Sequence, residues 1–269
     1  MVALTRRPVC LTIAGSDSSG GAGVVADLKT FEALGAWGCV AVTAVTAQDS
    51  EGVTASHLVP PALIEAQIAA VASDLGVDAA KTGMLGSAAG VRAVVAGLRA
   101  AGIGRLVVDP VLVSSHGNRL LSADALDVLR RELLPMAMVV TPNLPEAGDL
   151  LGIQIVDRAS MIPAAEALRR LGPQVVLLKG GHLPDRHSSP DLVCSPDGVA
   201  WLEGPRSTTV HTHGTGCVLS AAVAAGLALG GDPVAACVAA KQFVTRAIEA
   251  GRPLGRGVGP VDPGWRRSG

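Results

Sequence analysis

Six short apolar runs, each followed by a stretch of helical periodicity, constrain this chain more than any other feature. Val9–Ala14, Cys39–Val45, Asp78–Thr82, Arg105–Asp109, Met138–Thr141 and Val175–Lys179 read as strands. Helical patterns occupy Gly23–Leu34, Leu63–Asp74, Ser87–Ala101, Ala123–Leu133, Glu146–Leu151 and Met161–Leu171. Such alternation predicts an α/β fold: a central, mostly parallel β-sheet flanked by helices on both faces, in three α/β/α layers. Leu192–Cys194 and Val199–Leu202, joined through PDG, predict a late antiparallel hairpin, and helices over Thr215–Leu229 and Pro233–Ala250 finish the pattern. No linker, repeat or low-complexity segment interrupts the 269 residues. A single domain over 1–269 is expected, with an ordered core over about 8–262, a flexible tail over 263–269 and no large lid domain.

Composition narrows the function classes. With aromatics at 2% and no Tyr, the interior must pack through Ala, Gly, Val and Leu. A net charge of −1 gives no electrostatic footprint for nucleic acid or an anionic membrane, and Arg266 and Arg267 read as a solvated end. Five cysteines form an odd set without a CxxC pair, so neither a disulfide framework nor a zinc knuckle is signalled. MVALTRRPVC lacks the apolar core and cleavage site of a secretion signal. The most apolar helix, Cys217–Leu229, has about 13 residues where roughly 20 are needed to span a bilayer. A cytoplasmic protein is expected.

In open α/β sheets, ligands bind beyond the carboxyl ends of the strands. The unusual segments of this chain fall there in succession: GSDSSGGAG, TAQDSEG, TGM, DPV, TPNLPE, KGGH and HTHGTGC. In GSDSSGGAGVVADLKT, Gly21-Ala-Gly23-Val-Val-Ala26 fits only a relaxed dinucleotide fingerprint, and Gly21-Ala22 replaces the Lys-Ser/Thr of a P-loop. Asp27, one turn into that helix, faces a ligand or complements the helix dipole. The amide of Gln48 suits a heteroaromatic edge with an amino group beside a ring nitrogen, although a surface glutamine is the simpler reading. In TPNLPE, Glu146 either holds Mg²⁺ together with phosphate oxygens or completes a capping box with Asn143. Lys179 ends a strand where it is able to neutralise phosphate, and Asp109 ends another where it helps order the metal site.

HTHGTGC is the most specific stretch. Gly214, Thr215 and Gly216 turn backbone N–H groups inward at a helix start, which makes an anion hole. Cys217 follows in the positive field of the helix, where a thiol is expected to fall below its usual value of about 8.5. His211 and His213 alternate as metal ligands do, but no third ligand accompanies them.

Taken together, the segments resemble the hydroxymethylpyrimidine/phosphomethylpyrimidine kinases of thiamine biosynthesis, within the ribokinase-like superfamily. TIAGSDSSGGAGVVADLKTFEALG, AVTAVTAQDSEGV, KTGML, VVDPV, TPNLPEAGDLLG, LLKGGH, HTHGTGCVLSAA and GRGVGPV carry the resemblance in family order from residue 12 to 261. It implies ATP and Mg²⁺, two successive phosphorylations of an aminopyrimidine, and a homodimer. It further implies that Gln48 reads the pyrimidine edge in a pocket lined by Gly15, Asp27, Met84 and Val111. Cys217 matches the catalytic cysteine, Gly214–Gly216 the anion hole, and Asn143, Lys179, Lys241 and Glu146 the nucleotide and Mg²⁺ side. The chain departs from the family pattern at Ser115–Asn118, in place of a Lys-Ser-Gly-Asp stretch, at Ser18 and at Thr82. Pyridoxal/pyridoxine kinase is the neighbouring alternative; a dinucleotide-binding protein and a non-catalytic ligand sensor are the remote ones.

Overall fold

The computed structural model describes residues 6–112 and 121–267. Ser115–Asn118 lie outside the described residues. Among the described residues, nine strands form one sheet: β1 (Val9–Gly15), β2 (Trp37–Gln48), β3 (Val53–Leu58), β4 (Ala79–Thr82), β5 (Leu106–Val108), β6 (Val139–Val140), β7 (Val175–Lys179), β8 (Asp191–Ser195) and β9 (Gly198–Leu202). Their order is β3-β2-β1-β4-β5-β6-β7-β8-β9, parallel from β2 to β7 and antiparallel at both margins. The helices are α1 (Gly23–Ala33), α2 (Pro61–Asp74), α3 (Ala88–Ala100), α4 (Ala123–Val128), α5 (Leu144–Leu151), α6 (Arg158–Arg169), α7 (Thr215–Ala228) and α8 (Pro233–Glu249).

Side chains on a strand alternate between faces, and the two cores follow that period. Leu11, Ile13, Ala80, Leu106, Val108, Val140, Val176 and Leu178 pack on one face with α2, α3 and α6. Cys10, Ala79, Val107, Val139, Val175 and Leu177 pack on the other with α7 and α8. Both faces are therefore covered, which is why all seven residues of β1 are buried.

α7 lies against β1, β4 and β5 and between α1 and α8. Ten of its 14 residues are buried, and its Ala-rich composition lets neighbours approach on all sides. This packing sets its first turn over the carboxyl ends of the central strands. Among the described residues, no helix is long and apolar enough to cross a membrane.

Two elements differ from the sequence expectation. The second strand runs on through Gln48 and returns as β3, so Gln48 ends a strand. All six residues of β3 are half-buried or exposed, so it has no apolar alternation to betray it. The helix expected over Ala123–Leu133 stops at Val128 and continues as a π-helical turn, Leu129–Leu133, and a 3₁₀ turn, Leu134–Met136. Pro135, without an N–H, prevents a longer α-helix. The segment over 263–269, expected as a flexible tail, includes a 3₁₀ turn at Trp265–Arg267, with the Trp265 ring 6.0 Å from that of Phe243. The Arg266 guanidinium covers both rings at 5.2 and 5.6 Å.

Candidate active site

A cavity of about 530 Å³ opens over the carboxyl ends of the parallel strands. Gly15, Gln48, Met84, Asp109, Val111, Asn143, Glu146, Lys179 and Gly214–Cys217 all line it. Residues separated by up to two hundred positions thus meet because parallel strands deliver their loops to one edge. Asp27 and Lys241, also expected there, are not among the lining residues.

Asp27 is fully buried, and its carboxylate meets Lys81 Nζ at 2.8 and 3.1 Å and Thr12 Oγ1 at 2.6 Å. It is Lys81, a lysine in the middle of the Ala-Ala-Lys-Thr strand β4, that reaches the cavity. Burial alone would favour the neutral amine. Asp27, followed by Cys217 and Asp109, more than offsets it and raises Lys81 above its usual range. A buried ammonium therefore sits under the cavity floor, and a lysine inside an otherwise apolar strand was the signal for it. Lys241 turns instead to Asp191 Oδ2 at 2.8 Å and Ser189 O at 2.7 Å. Asp191 Oδ1 accepts from Gly180 N, so Lys241 braces the KGGH turn from behind.

The start of α7 is built from sterics first. Gly214, its N-cap, has φ +82°, and a Cβ there would lie 1.9 Å from Gly21 O. Only glycine lets the two glycine loops touch. Thr215 N donates to Thr212 O at 3.2 Å and so closes the turn. Thr215 N–H is thus spent on the turn, which leaves Gly214, Gly216 and Cys217 N–H as the candidate donors of this first turn.

Cys217 departs from expectation in its charge. Burial pushes the thiol up to about 11; Lys81 works against that rise, and Asp27 and Asp109 add to it. Desolvation outweighs the Lys81 charge and the Gly23 backbone N–H, and so favours the thiol.

Beside the α7 start stands a cluster of charges. Lys179 Nζ stands 3.2 Å from Asp109 Oδ1 and 3.8 Å from Glu146 Oε2. Thr141 Oγ1 and Ser220 Oγ donate to Asp109 at 3.2 and 3.0 Å. Asn143 and Glu146 form a reciprocal capping box on α5, with bonds of 2.9 and 2.8 Å. Burial raises the Glu146 carboxyl to about 7 even though Lys179 opposes it, and Asp109 adds to the rise. Burial also works against the Lys179 charge, which Asp109 and Glu146 more than restore.

Two carboxyl groups thus share one ammonium beside the first turn of α7. A Cβ on Gly216 would lie 3.4 Å from Lys179 Nζ, so this cluster adjoins the first turn of α7. Among the described residues there is no group of three or more side chains able to cage a metal. The donor set instead fits a hard cation held by one or two carboxylates and shared with phosphate oxygens.

The two histidines of HTHGTGC have other partners. His213 Nε2 lies 2.8 Å from Asp17 Oδ2, and both residues line the cavity. Asp17 also accepts from Ser19 N and Ala22 N. His213 and Ser19 more than offset burial and hold the Asp17 carboxyl below its usual range. His211 Nδ1 accepts from Gly259 N at 3.2 Å. Among the described residues, nothing hydrogen-bonds the Gln48 carboxamide, and Val111 and Met84 give the same cavity apolar lining.

Comparison with known proteins agrees in family and fold. A family profile described as phosphomethylpyrimidine kinase matches residues 17–262. The hydroxymethylpyrimidine/phosphomethylpyrimidine kinase of Streptomyces coelicolor is 50% identical over 258 residues, covering 96% of this chain and 95% of that protein. Among solved structures, phosphomethylpyrimidine kinase from Clostridium difficile aligns with TM-score 0.80 and 39% identity, over 90% of this chain and all of that one. Pyridoxal kinase from Staphylococcus aureus, in complex with AMP-PCP and pyridoxal, aligns with TM-score 0.89 and 37% identity, over 97% and 94% of the two chains. The fold is the ribokinase-like one the sequence pointed to.

Proposed function

The chain belongs to the phosphomethylpyrimidine kinase family, and on that premise we propose that it phosphorylates 4-amino-5-hydroxymethyl-2-methylpyrimidine with ATP. A second transfer converts the monophosphate to the diphosphate used in thiamine biosynthesis. The observation that carries this reading is one cavity holding an unengaged amide, Gln48, a glycine hole ending in Cys217, and the Lys179–Glu146–Asp109 cluster. Each element answers one demand of the reaction: recognition of the pyrimidine, removal of a proton, and neutralisation of phosphate charge.

Phosphoryl transfer asks chiefly for positioning and charge stabilisation. Gln48 pairs with the amino group and ring nitrogen, while Gly15, Met84 and Val111 set the ring plane. The hydroxymethyl oxygen attacks the γ-phosphorus as the bond to the β-bridging oxygen breaks and ADP leaves. Backbone N–H groups of Gly214, Gly216 and Cys217 stabilise the transferring oxygens, with Lys179 beside them. Cys217, as the thiolate, takes the hydroxyl proton; the loose transition state delays that step until the new O–P bond is largely formed. Lys81 lowers the cost of the thiolate, and Asp27 acts through Lys81. Glu146 and Asp109 would hold Mg²⁺ with the triphosphate. Bound there, the cation would supply neutralisation of charge on the β- and γ-oxygens. Asn143 positions Glu146, and Lys241 supports the Lys179 turn. The same reading has the enzyme working in the cytoplasm as a homodimer.

A coupled assay of ADP release with the hydroxymethylpyrimidine, its monophosphate and pyridoxine tests the proposal. Release with the first two and little with pyridoxine is expected. Release with pyridoxine alone would replace it by the second reading, a pyridoxal kinase, which the likeness to the Staphylococcus aureus enzyme favours. No release with any substrate would point to a sensor.

A further inference from the structure

The β2–β3 hairpin carries Gln48, Val53 and Ser56 to the cavity, yet its tip stands at the margin of the sheet, since among the described residues β3 pairs with β2 alone. The GRGVGPV segment near the C-terminus reaches across to that tip. Ser50 O accepts from Val258 N at 3.1 Å, Ser50 Oγ accepts from Gly257 N at 3.0 Å, and Arg256 pairs with Glu51 at 2.8 Å. A Cβ on Gly257 would lie 2.1 Å from Ser50 O, so the contact requires glycine.

The other end of the same segment grips the approach to the hole. Gly259 O accepts from His213 N at 3.1 Å, His213 O accepts from Val261 N at 3.0 Å, and Gly259 N donates to His211. Val261 is buried in the core shared with α7 and α8. His213 immediately precedes Gly214. A run of backbone bonds therefore connects Ser50, two residues beyond Gln48, to the first residue of the anion hole. None of residues 252–259 is among those lining the cavity.

We infer that residues 252–261 are a strap that sets the distance between the pyrimidine-reading hairpin and the phosphoryl-transfer hole, with Ser50 and Gly257 as positioning residues for the pyrimidine substrate. The inference rests on the reading of Gln48 given above. The backbone bonds carry the latch, because an ion pair as exposed as Arg256–Glu51 contributes little in water. Releasing the latch lets the hairpin tip drift from the hole. The pyrimidine then binds with its hydroxymethyl out of line, while the Lys179–Glu146 wall is untouched.

The test is steady-state kinetics on Gly257→Ala, Ser50→Ala and Ser50→Thr, with thermal midpoints measured alongside. Gly257→Ala and Ser50→Ala are expected to raise KM for the hydroxymethylpyrimidine by roughly tenfold and threefold, against a KM for ATP within twofold of wild type. Ser50→Thr, which keeps the hydroxyl, should restore most of the loss. Should Gly257→Ala fail to fold, Ser50→Ala and its rescue decide the matter. Equal rises in both KM values together with a lowered midpoint would reduce the strap to a fold-stabilising element and overturn the inference. A Gln48→Ala arm separates the two layers. Raised pyrimidine KM there, with none in the latch variants, overturns the strap alone. Unchanged pyrimidine KM in Gln48→Ala overturns the reading of Gln48 and the strap with it.

Discussion

Cys217 sits between an ammonium that favours its thiolate and two carboxylates that oppose it, and burial decides in favour of the thiol at about 11. Its thiolate fraction rises about tenfold per pH unit below that value. If Cys217 is the base, kcat/KM for the pyrimidine should climb on the alkaline side of neutrality, and Cys217→Asp should move the rise to acid pH. A profile unchanged by Cys217→Asp would remove the thiol from proton transfer. Cys217→Ala is expected to lose about 10²–10⁴ in turnover while still binding ATP, as read by nucleotide titration. Lys81 and Asp27 make a second residue-level case, both fully buried and 2.8 Å apart. Lys81→Met strands the carboxylate of Asp27 and should cost about 3–5 kcal/mol in denaturant unfolding. Adding Asp27→Asn should return most of it, since the pair contributes little beyond its own mutual satisfaction; a double variant as unstable as the single one would contradict this.

Elements place these groups by their ends. Parallel strands bring every following loop to one edge, and α7, with ten of its 14 residues buried, is anchored there through the turns that follow its first. The proposed hole at that turn depends on Gly214, whose positive φ and closeness to Gly21 O exclude any side chain. Gly214→Ala should lower kcat by about 10²–10³, the loss seen when a preorganised oxyanion donor is displaced. Near-normal kcat in this variant would mean that the hole does not act on the transferring group. α5 shows how one residue serves two ends. Glu146 closes the capping box with Asn143 and also faces the cavity, so the capping and cation-holding alternatives are compatible.

At the scale of the whole molecule, the homodimer of the functional reading predicts a sedimentation mass twice that of the chain at micromolar concentration. A single-chain mass there would remove it. The sequence by itself determined the α/β/α layering, because strand runs buried on both faces and helices between them leave few other ways to hide apolar surface. It also determined which loops gather, since in a parallel sheet every strand's carboxyl end points the same way; Gln48, Glu146, Lys179 and Cys217 were all legible for that reason. Only the tertiary structure decided what each group faces. Asp27 was expected against a ligand and is spent on Lys81. Lys241 braces a turn, Thr215 gives its N–H to Thr212, and β3 pairs without any buried face. Charge was the least legible property. A helix start predicted a thiol below its usual value, and desolvation by residues distant in sequence reversed the sign. Periodicity is a local property that the chain carries in itself, whereas burial and the fields of neighbouring charges exist only once distant segments have met.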